Sequence, residues 1–362
     1  MPAPSIDEIE RLLNAPVAGV APVAPWAVTR VTLASGATVL VKWIRDSPVN
    51  FRVDLRQAAA EAAALEFLAE IGFDQAPRLL AVDHASGLVA VEDLAPMTPL
   101  LDRLRDDGPA PHMASLTAFA TTIGRLCATT AGKEAAFEAV RARHGEADPE
   151  VGRAQGLGRG WPNARQWLAD FGLPIEGAAA AELARVEAAL VDPGPFCALS
   201  NGDPQTNNFL TDGQSGALID FEWAAFRNAF TTTNWISMPG SAWITVAHDG
   251  SPALEDAWRA AASPGIPQVA DDAAFAFGVA MSALAEACDR IIRFPLMDGR
   301  PAGHQSRLQM VSTLESAAAV ARRHGALLPL ADWSERVAAW LRRRWPDADQ
   351  DLATIRPFTP RR

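Results

Sequence analysis

Near residue 95 the sequence changes its period, and that change restricts the fold more than any other feature. Before it, apolar residues alternate in short runs. AVTRVTLASGATVLVKW, residues 27–43, holds two β-rich segments around Ser35-Gly36, which reads as a hairpin with Lys42 near the end of its second strand. PRLLAVDH and GLVAVEDL form a second pair around Ala85-Ser86-Gly87. Between the pairs lies DLRQAAAEAAALEFLAEIG, a predicted helix from Leu55 to Glu70 closed by Gly72. Ser5-Ile6-Asp7-Glu8 is a capping box that opens a short helix through Leu13, and Pro16, Pro22 and Pro25 stop any helix beyond it. After Pro96 the period is helical, with predicted helices at 98–106, 112–142, 162–171, 176–190, 252–261, 270–292, 304–324 and 331–344. One β-rich stretch interrupts them at 196–222, and residues 145–162, rich in Gly and charge, read as a loop. Strand, strand, helix, strand, strand followed by helices is an α+β arrangement on an antiparallel sheet. The expected division is a small lobe at 1–95 and a larger helical lobe at 96–362.

Composition narrows the classes. With 49% hydrophobic and 21% charged residues, the 362-residue chain can bury a sizeable core. Its formal charge of -11 repels phosphate backbones, so nucleic acid is not an expected partner. No apolar run of about 18 residues lacks charge, so no membrane span is expected, and the first residues do not resemble a signal peptide. Cys127, Cys197 and Cys288 fit neither a disulfide framework nor a thiolate zinc site; free thiols suit the cytoplasm.

The chemistry is concentrated in residues 199–222, LSNGDPQTNNFLTDGQSGALIDFE. Two short apolar strands, NFLT and ALID, flank the turn at Asp212-Gly213. A hairpin there brings Asn208 and Asp220 together while Asp203 stays on the adjoining loop. Three oxygen-bearing side chains at one rim suit a hard divalent cation and a general base. An Asp-Pro turn alone would explain Asp203, but a carboxylate closing the apolar run Ala217-Leu218-Ile219 needs a partner. Elsewhere, Glu61 falls on the apolar stripe of its helix with Ala58, Leu65 and Leu68, whereas Glu66 and Glu70 face solvent. A carboxylate on a buried face wants a cation, and Lys42 is one of only two lysines in the chain.

Asp203, Asn208 five residues on, and then Asp220-Phe221-Glu222 resemble the catalytic core of the aminoglycoside phosphotransferase family, which is similar to choline and homoserine kinases and more distantly to protein kinases. The surrounding order agrees over about residues 17–290. The resemblance implies a protein-kinase-like, two-lobed fold and transfer of the γ-phosphoryl group of ATP to a hydroxyl. It gives Asp203 the substrate proton, Asn208 and Asp220 the Mg²⁺, Lys42 the nucleotide phosphates with Glu61 as its ion-pair partner, and Glu92 to Leu94 the hinge that receives adenine. The expected partner is a small hydroxyl acceptor, which can be cationic.

The sequence also departs from that pattern. Asn201 stands where the family has His before Gly-Asp. The stretch Ala229–Asn234 contains no acid, where the family carries an Asp that anchors the catalytic loop. No glycine-rich phosphate loop precedes Lys42. These departures keep a second reading open, a nucleotide-binding pseudokinase or regulatory module with little turnover. On the acceptor side, Glu222, Asp249, Glu255, Asp256, Asp271, Asp272, Glu286 and Asp289 are candidate acids, with Glu286 and Asp289 three apart on one predicted helix. Trp223, Trp235 and Trp243 are candidate cleft walls or core residues, and the six histidines show no metal-like spacing.

Overall fold

The computed structural model describes residues 3–23, 27–44, 54–145, 157–158, 160–240 and 251–348, so Trp243, Asp249 and most of the 145–162 loop lie outside the described residues. The chain begins with α1 (Ile6–Leu13), which carries the expected capping box, Ser5 and Glu8 each bonding the other's backbone. Then come β1 (Val17–Pro22), β2 (Val28–Leu33), β3 (Thr38–Lys42), α2 (Leu55–Glu70), β4 (Leu79–Asp83) and β5 (Leu88–Glu92). They form an antiparallel sheet in the order β1-β2-β3-β5-β4. β1 is the strand that sequence patterning does not reveal. It is an edge strand with mostly exposed residues, so it lacks an apolar rhythm and tolerates Pro22 at its end.

Side-chain alternation on this sheet sets up the site. Val39 and Val41 of β3 pack under α1 with Ile9, Val31 and Ala90. Leu40 and Lys42 therefore take the opposite face, toward α2. On β5, Val89 and Val91 join the α2 side while Ala90 and Glu92 face away from it. α2 is buried almost all round because it is covered by the sheet on one side and by a helix of the second lobe on the other. Phe67 of α2 meets Phe137 and Phe226 of the second lobe, with ring centroids 5.4 and 6.4 Å away, and ties the two lobes together.

After β6 (Thr98–Pro99) come α3 (Leu100–Asp107), α4 (Met113–Thr130), α5 (Glu134–Arg141), α6 (Trp161–Asp170) and α7 (Gly177–Val191). The helix expected over 112–142 is two helices, α4 and α5, because the chain turns at Gly132 with φ of +73°. The β-rich interruption comprises β7 (Cys197–Ser200), β8 (Phe209–Thr211), β9 (Gly216–Leu218) and β10 (Ala225–Asn228). β8 and β9 form the expected hairpin, joined at its edge by β6. β10, missed in the sequence, pairs with β7. The rest is α8 (Ser251–Ala262), α9 (Asp272–Ile291), the short α10 (Phe294–Asp298), α11 (Gln305–His324) and α12 (Leu328–Arg344). α4 packs on α8 and α9 on α11, which packs on α12. Trp235 packs against Phe119 at a tilt of 40°, centroids 4.4 Å apart, and is 1% exposed, so it is a core residue and not a cleft wall. Among the described residues, no helix is long and apolar enough to cross a membrane.

Candidate active site

Lys42 reaches from β3 into the space between the lobes. Its Nζ donates to Glu61 Oε1 at 2.5 Å and to Asp220 Oδ1 at 2.5 Å. Lys42 is 6% and Glu61 1% exposed, so the pair is desolvated on its α2 side. Burial of such a pair is tolerated only when both charges are held in good geometry. Asp220 is different: its side chain is 41% exposed and opens into the cleft. It follows β9 with φ of +58°, a left-handed conformation uncommon outside Gly and Asn, and such strain concentrates at functional sites.

Asp203 lies on the turn after β7. The Asn208 amide nitrogen donates to the Asp203 carbonyl at 2.9 Å and to its carboxylate Oδ2 at 3.0 Å. Asn208 Oδ1 accepts from Asn207 at 2.7 Å. The Asn208 carbonyl in turn accepts from Ile219 N–H at 3.0 Å, which clamps the residue just before Asp220 to this loop. Asp203 is open to solvent yet surrounded by protein on most sides. That recess, and then the Asp220 charge, push its carboxyl up to about 6; Glu286 adds to the rise, while Asn208 and Arg290 oppose it. A base poised near neutrality is what proton transfer at physiological pH requires.

The hinge expected at Glu92 to Leu94 divides. The Glu92 side chain lies on the far face of the sheet and pairs with Arg78 at 3.2 Å, so it cannot touch a ligand beside Lys42. Asp93 pairs with Arg30 at 2.7 Å. The Leu94 carbonyl accepts from Met97 N–H, while the Leu94 N–H has no hydrogen-bond partner among the described residues. Backbone groups at this point are thus available to a planar base, as side-chain reading alone would not show.

Among solved structures, the chain is similar to an ethanolamine kinase of Plasmodium vivax at 12% identity, over 84% of this chain and 83% of that one, with a TM-score of 0.50. It is also similar to a macrolide 2'-phosphotransferase of Brachybacterium faecium (18% identity, 87% and 96% covered, TM-score 0.48) and an aminoglycoside phosphotransferase of Alicyclobacillus acidocaldarius (13%, 96% and 98%, 0.45). The chain shares the fold of that ethanolamine kinase, a two-lobed protein-kinase-like fold. No family model matches the sequence, and no curated protein matches it.

Within this fold, the two departures from the expected pattern around Asp203 have visible consequences. Asn201 is 2% exposed, and its amide donates to the carbonyls of Ile219 at 3.1 Å and Asp203 at 3.4 Å. One side chain thereby bridges the residue before Asp220 to Asp203 itself. The acid-free stretch is occupied differently. Thr231, Thr232 and Thr233 turn their hydroxyls onto carbonyls three residues back, and Asn228 caps Phe230 N–H. The three threonine hydroxyls are thus spent on this segment's own backbone, while Asn234 donates to Glu286 at 3.3 Å and its Oδ1 is buried without a partner among the described residues. Asn201→Ala removes both donors from a buried site and is expected to cost about 1–3 kcal/mol of stability. It would also lower turnover through a loosened loop. Thermal unfolding together with a rate assay checks this; an unchanged rate with the lower stability would assign Asn201 to stability alone.

Of the acceptor-side acids, several are structural. Glu255 is buried and held by Arg323 and His324, Asp271 caps α9, and Asp272 pairs with Arg259. Glu286 pairs with Arg290 at 2.8 Å and its charge adds to the rise at Asp203, while Asp289 accepts from Gly158 N–H at 2.9 Å. The histidines are not all idle either. His144 lies 2.5 Å from Glu66 and 3.3 Å from His84, joining α2 to the second lobe. Glu66 therefore is not a purely solvent-facing acid.

Proposed function

We propose that the chain is an ATP- and Mg²⁺-dependent kinase that transfers a γ-phosphoryl group to the hydroxyl of a small molecule, with residues 1–95 binding the nucleotide and 96–362 carrying the catalytic loop and acceptor. The observation that carries this reading is the Lys42 Nζ bridge to Glu61 and Asp220 beside the Asp203–Asn208 clamp. The fold, shared with small-molecule phosphotransferases, is consistent with it.

Each residue has a physical task. Glu61 fixes Lys42 so that its ammonium points at the phosphates rather than into solvent. Leu94 offers its free N–H, and Glu92, whose N–H is spent on the Arg78 carbonyl, at most its own carbonyl, to the adenine edge. Asp203 orients the acceptor hydroxyl and takes its proton. The exposed Asp220 carboxylate and the Asn208 amide oxygen are hard oxygen donors, which fits Mg²⁺, an ion usually bound by one or two protein groups together with phosphates and waters. Among the described residues no cluster of three or more His, Cys, Asp or Glu forms a protein cage for another metal, which suits an ion brought in with the nucleotide. When bound, Mg²⁺ supplies charge neutralisation at the phosphates. The hydrogen bonds of Asn201 weigh against the pseudokinase reading, since they occupy the place of the changed His. Cys127 and Cys288, buried and without disulfides, suit the cytoplasm as the compartment.

Thermal unfolding with ATP, with and without Mg²⁺, tests the proposal. Binding at a hundredfold excess over Kd stabilises the native state by about 2.7 kcal/mol. A rise that requires Mg²⁺ supports the Asn208/Asp220 site; no shift with any nucleotide, with or without Mg²⁺, rejects it. A pH series adds a second expectation. Asp203 must be ionised to accept a proton, so turnover should climb through about pH 6 and level off above it. A rate that falls as pH rises from 5 to 7 would remove Asp203 as the base.

A further inference from the structure

Two of the six histidines meet beside α2, at Glu66 rather than at Glu61. His84 stands in the turn between β4 and β5, and His144 follows α5 in the second lobe. His144 Nδ1 and His84 Nε2 are 3.3 Å apart, with the rings inclined at 71°. The other nitrogen of His144, Nε2, lies 2.5 Å from Glu66 Oε2. An ionised carboxylate only accepts, so Nε2 carries the proton of the neutral His144 ring and Nδ1 turns its lone pair toward His84. Glu66 is held in turn by Arg143 at 2.8 Å, and Arg143 also pairs with Glu70 at 2.5 Å. On the other side Asp83 accepts from Ala85 N–H and from the Ser86 hydroxyl. Glu66, Glu70 and Asp83 against the single charge of Arg143 leave these surroundings net negative among the described residues. His144 is 9% exposed, whereas His84 is open to solvent.

The spacing of the two ring nitrogens is informative. Nitrogens bound about 2.0–2.1 Å from a tetrahedral Zn²⁺ stand about 3.3–3.4 Å from each other. His84 Nε2 and His144 Nδ1 have that separation. A metal-bound histidine also gives its other ring N–H to a carboxylate or carbonyl, which fixes the tautomer and the ring orientation. Glu66 does this for His144. Without metal, a hydrogen bond from His84 Nε2–H to His144 Nδ1 occupies the gap. A cation takes the place of that proton: His84 carries its proton on the solvent side at Nδ1 instead, the ring stays neutral, and Nε2 offers its lone pair. His84 is exposed on a turn and can rotate to aim it, while His144 is already set by Glu66.

We propose that His84 Nε2 and His144 Nδ1 form a Zn²⁺ site, with Glu66 behind His144 and water in the remaining positions. Two imidazoles do not make a closed cage, so the ion is exchangeable rather than built into the fold. Imidazole suits Zn²⁺, whereas Mg²⁺ prefers oxygen, which separates this site chemically from the oxygen donors of Asn208 and Asp220. His84 belongs to the first lobe and His144 to the second. The bound ion therefore joins the lobes beside α2, the helix that carries Glu61.

Calorimetric titration of the metal-free full chain with ZnCl2, in the absence of nucleotide, tests this. The parent should bind one Zn²⁺ per chain, and its unfolding temperature should rise with added Zn²⁺ because the native state alone holds the two rings together. His84→Gln keeps an amide N–H for His144 but has no ring lone pair. It changes an exposed residue, so it should fold as the parent does, bind Zn²⁺ at least tenfold more weakly and lose the rise in unfolding temperature. Glu66→Gln should weaken binding about tenfold to a hundredfold, as loss of a carboxylate behind a ligand does. Asp220→Asn should leave the affinity unchanged, and excess Mg²⁺ should not compete. Absence of saturable Zn²⁺ binding by the parent overturns the proposal. So does equal affinity in His84→Gln, and so does binding that Asp220→Asn or excess Mg²⁺ abolishes, which would put the ion in the cleft. The result does not depend on whether the chain binds Mg-ATP.

Discussion

Asp203→Asn should abolish most turnover and leave the nucleotide site intact. Loss of a positioned general base costs about 10²–10⁴-fold in rate. The amide keeps the shape and still accepts the hydrogen bond that Asn208 donates to the carboxylate at 3.0 Å. The Mg-ATP thermal shift should therefore persist. The free protein should be no less stable than the parent at pH 7, because the substitution removes a carboxylate that its recess and Asp220 already disfavour. Catalytic groups held in unfavourable surroundings often show this exchange of activity against stability. A variant that retains more than a tenth of the parental rate would show that proton acceptance lies elsewhere.

Asp220→Asn is the complementary case. Asparagine adopts the left-handed backbone that Asp220 shows at φ of +58°, so the fold tolerates it. Lys42 keeps Glu61 as its partner. What disappears is the exposed charge offered to a hard cation. The Mg²⁺-dependent part of the ATP stabilisation, about 2.7 kcal/mol at a hundredfold excess over Kd, should vanish. Turnover should drop at least 10²-fold, in keeping with the several kcal/mol that metal neutralisation contributes. ATP titrations followed by thermal unfolding, at matched Mg²⁺ and EDTA, measure this directly. An undiminished Mg²⁺ effect would move the metal site away from Asp220.

The two variants separate functions that share one small volume. Asp203 and Asp220 repel one another. Their proximity follows from two devices, the Asn208 clamp and the Asn201 bridge, and neither involves a long side chain. Short amides on a tight loop lose little rotamer freedom when ordered, so they position backbone at modest cost. The loop is further tied to the first lobe, where the Gln75 carbonyl accepts from Leu218 N–H at 2.9 Å.

Local signals in the chain carried the parts of this structure that local chemistry dictates. The Ser5/Glu8 box, the α2 helix ending at Gly72, and the β8–β9 hairpin each depend on neighbours within a few residues, and each occurs where its residues predict. Glu61 was legible because one polar residue interrupts an apolar helical stripe. Asn208 and Asp220 were legible because they flank one hairpin, and Asp203 because it stands on the loop beside it at the spacing of the resembled family.

Tertiary structure alone decided what depends on distant partners. β1 and β10 have no apolar rhythm of their own and exist through pairing with β2 and β7. The Glu92 side chain is turned from the cleft by the pleat of β5, a matter of parity that a one-residue change in register would reverse. Short-range geometry is written in adjacent residues, whereas a contact such as that of Lys42 with Asp220 joins residues 178 positions apart. The candidate site residues could therefore be named from the chain, and their contact partners only from its folded form.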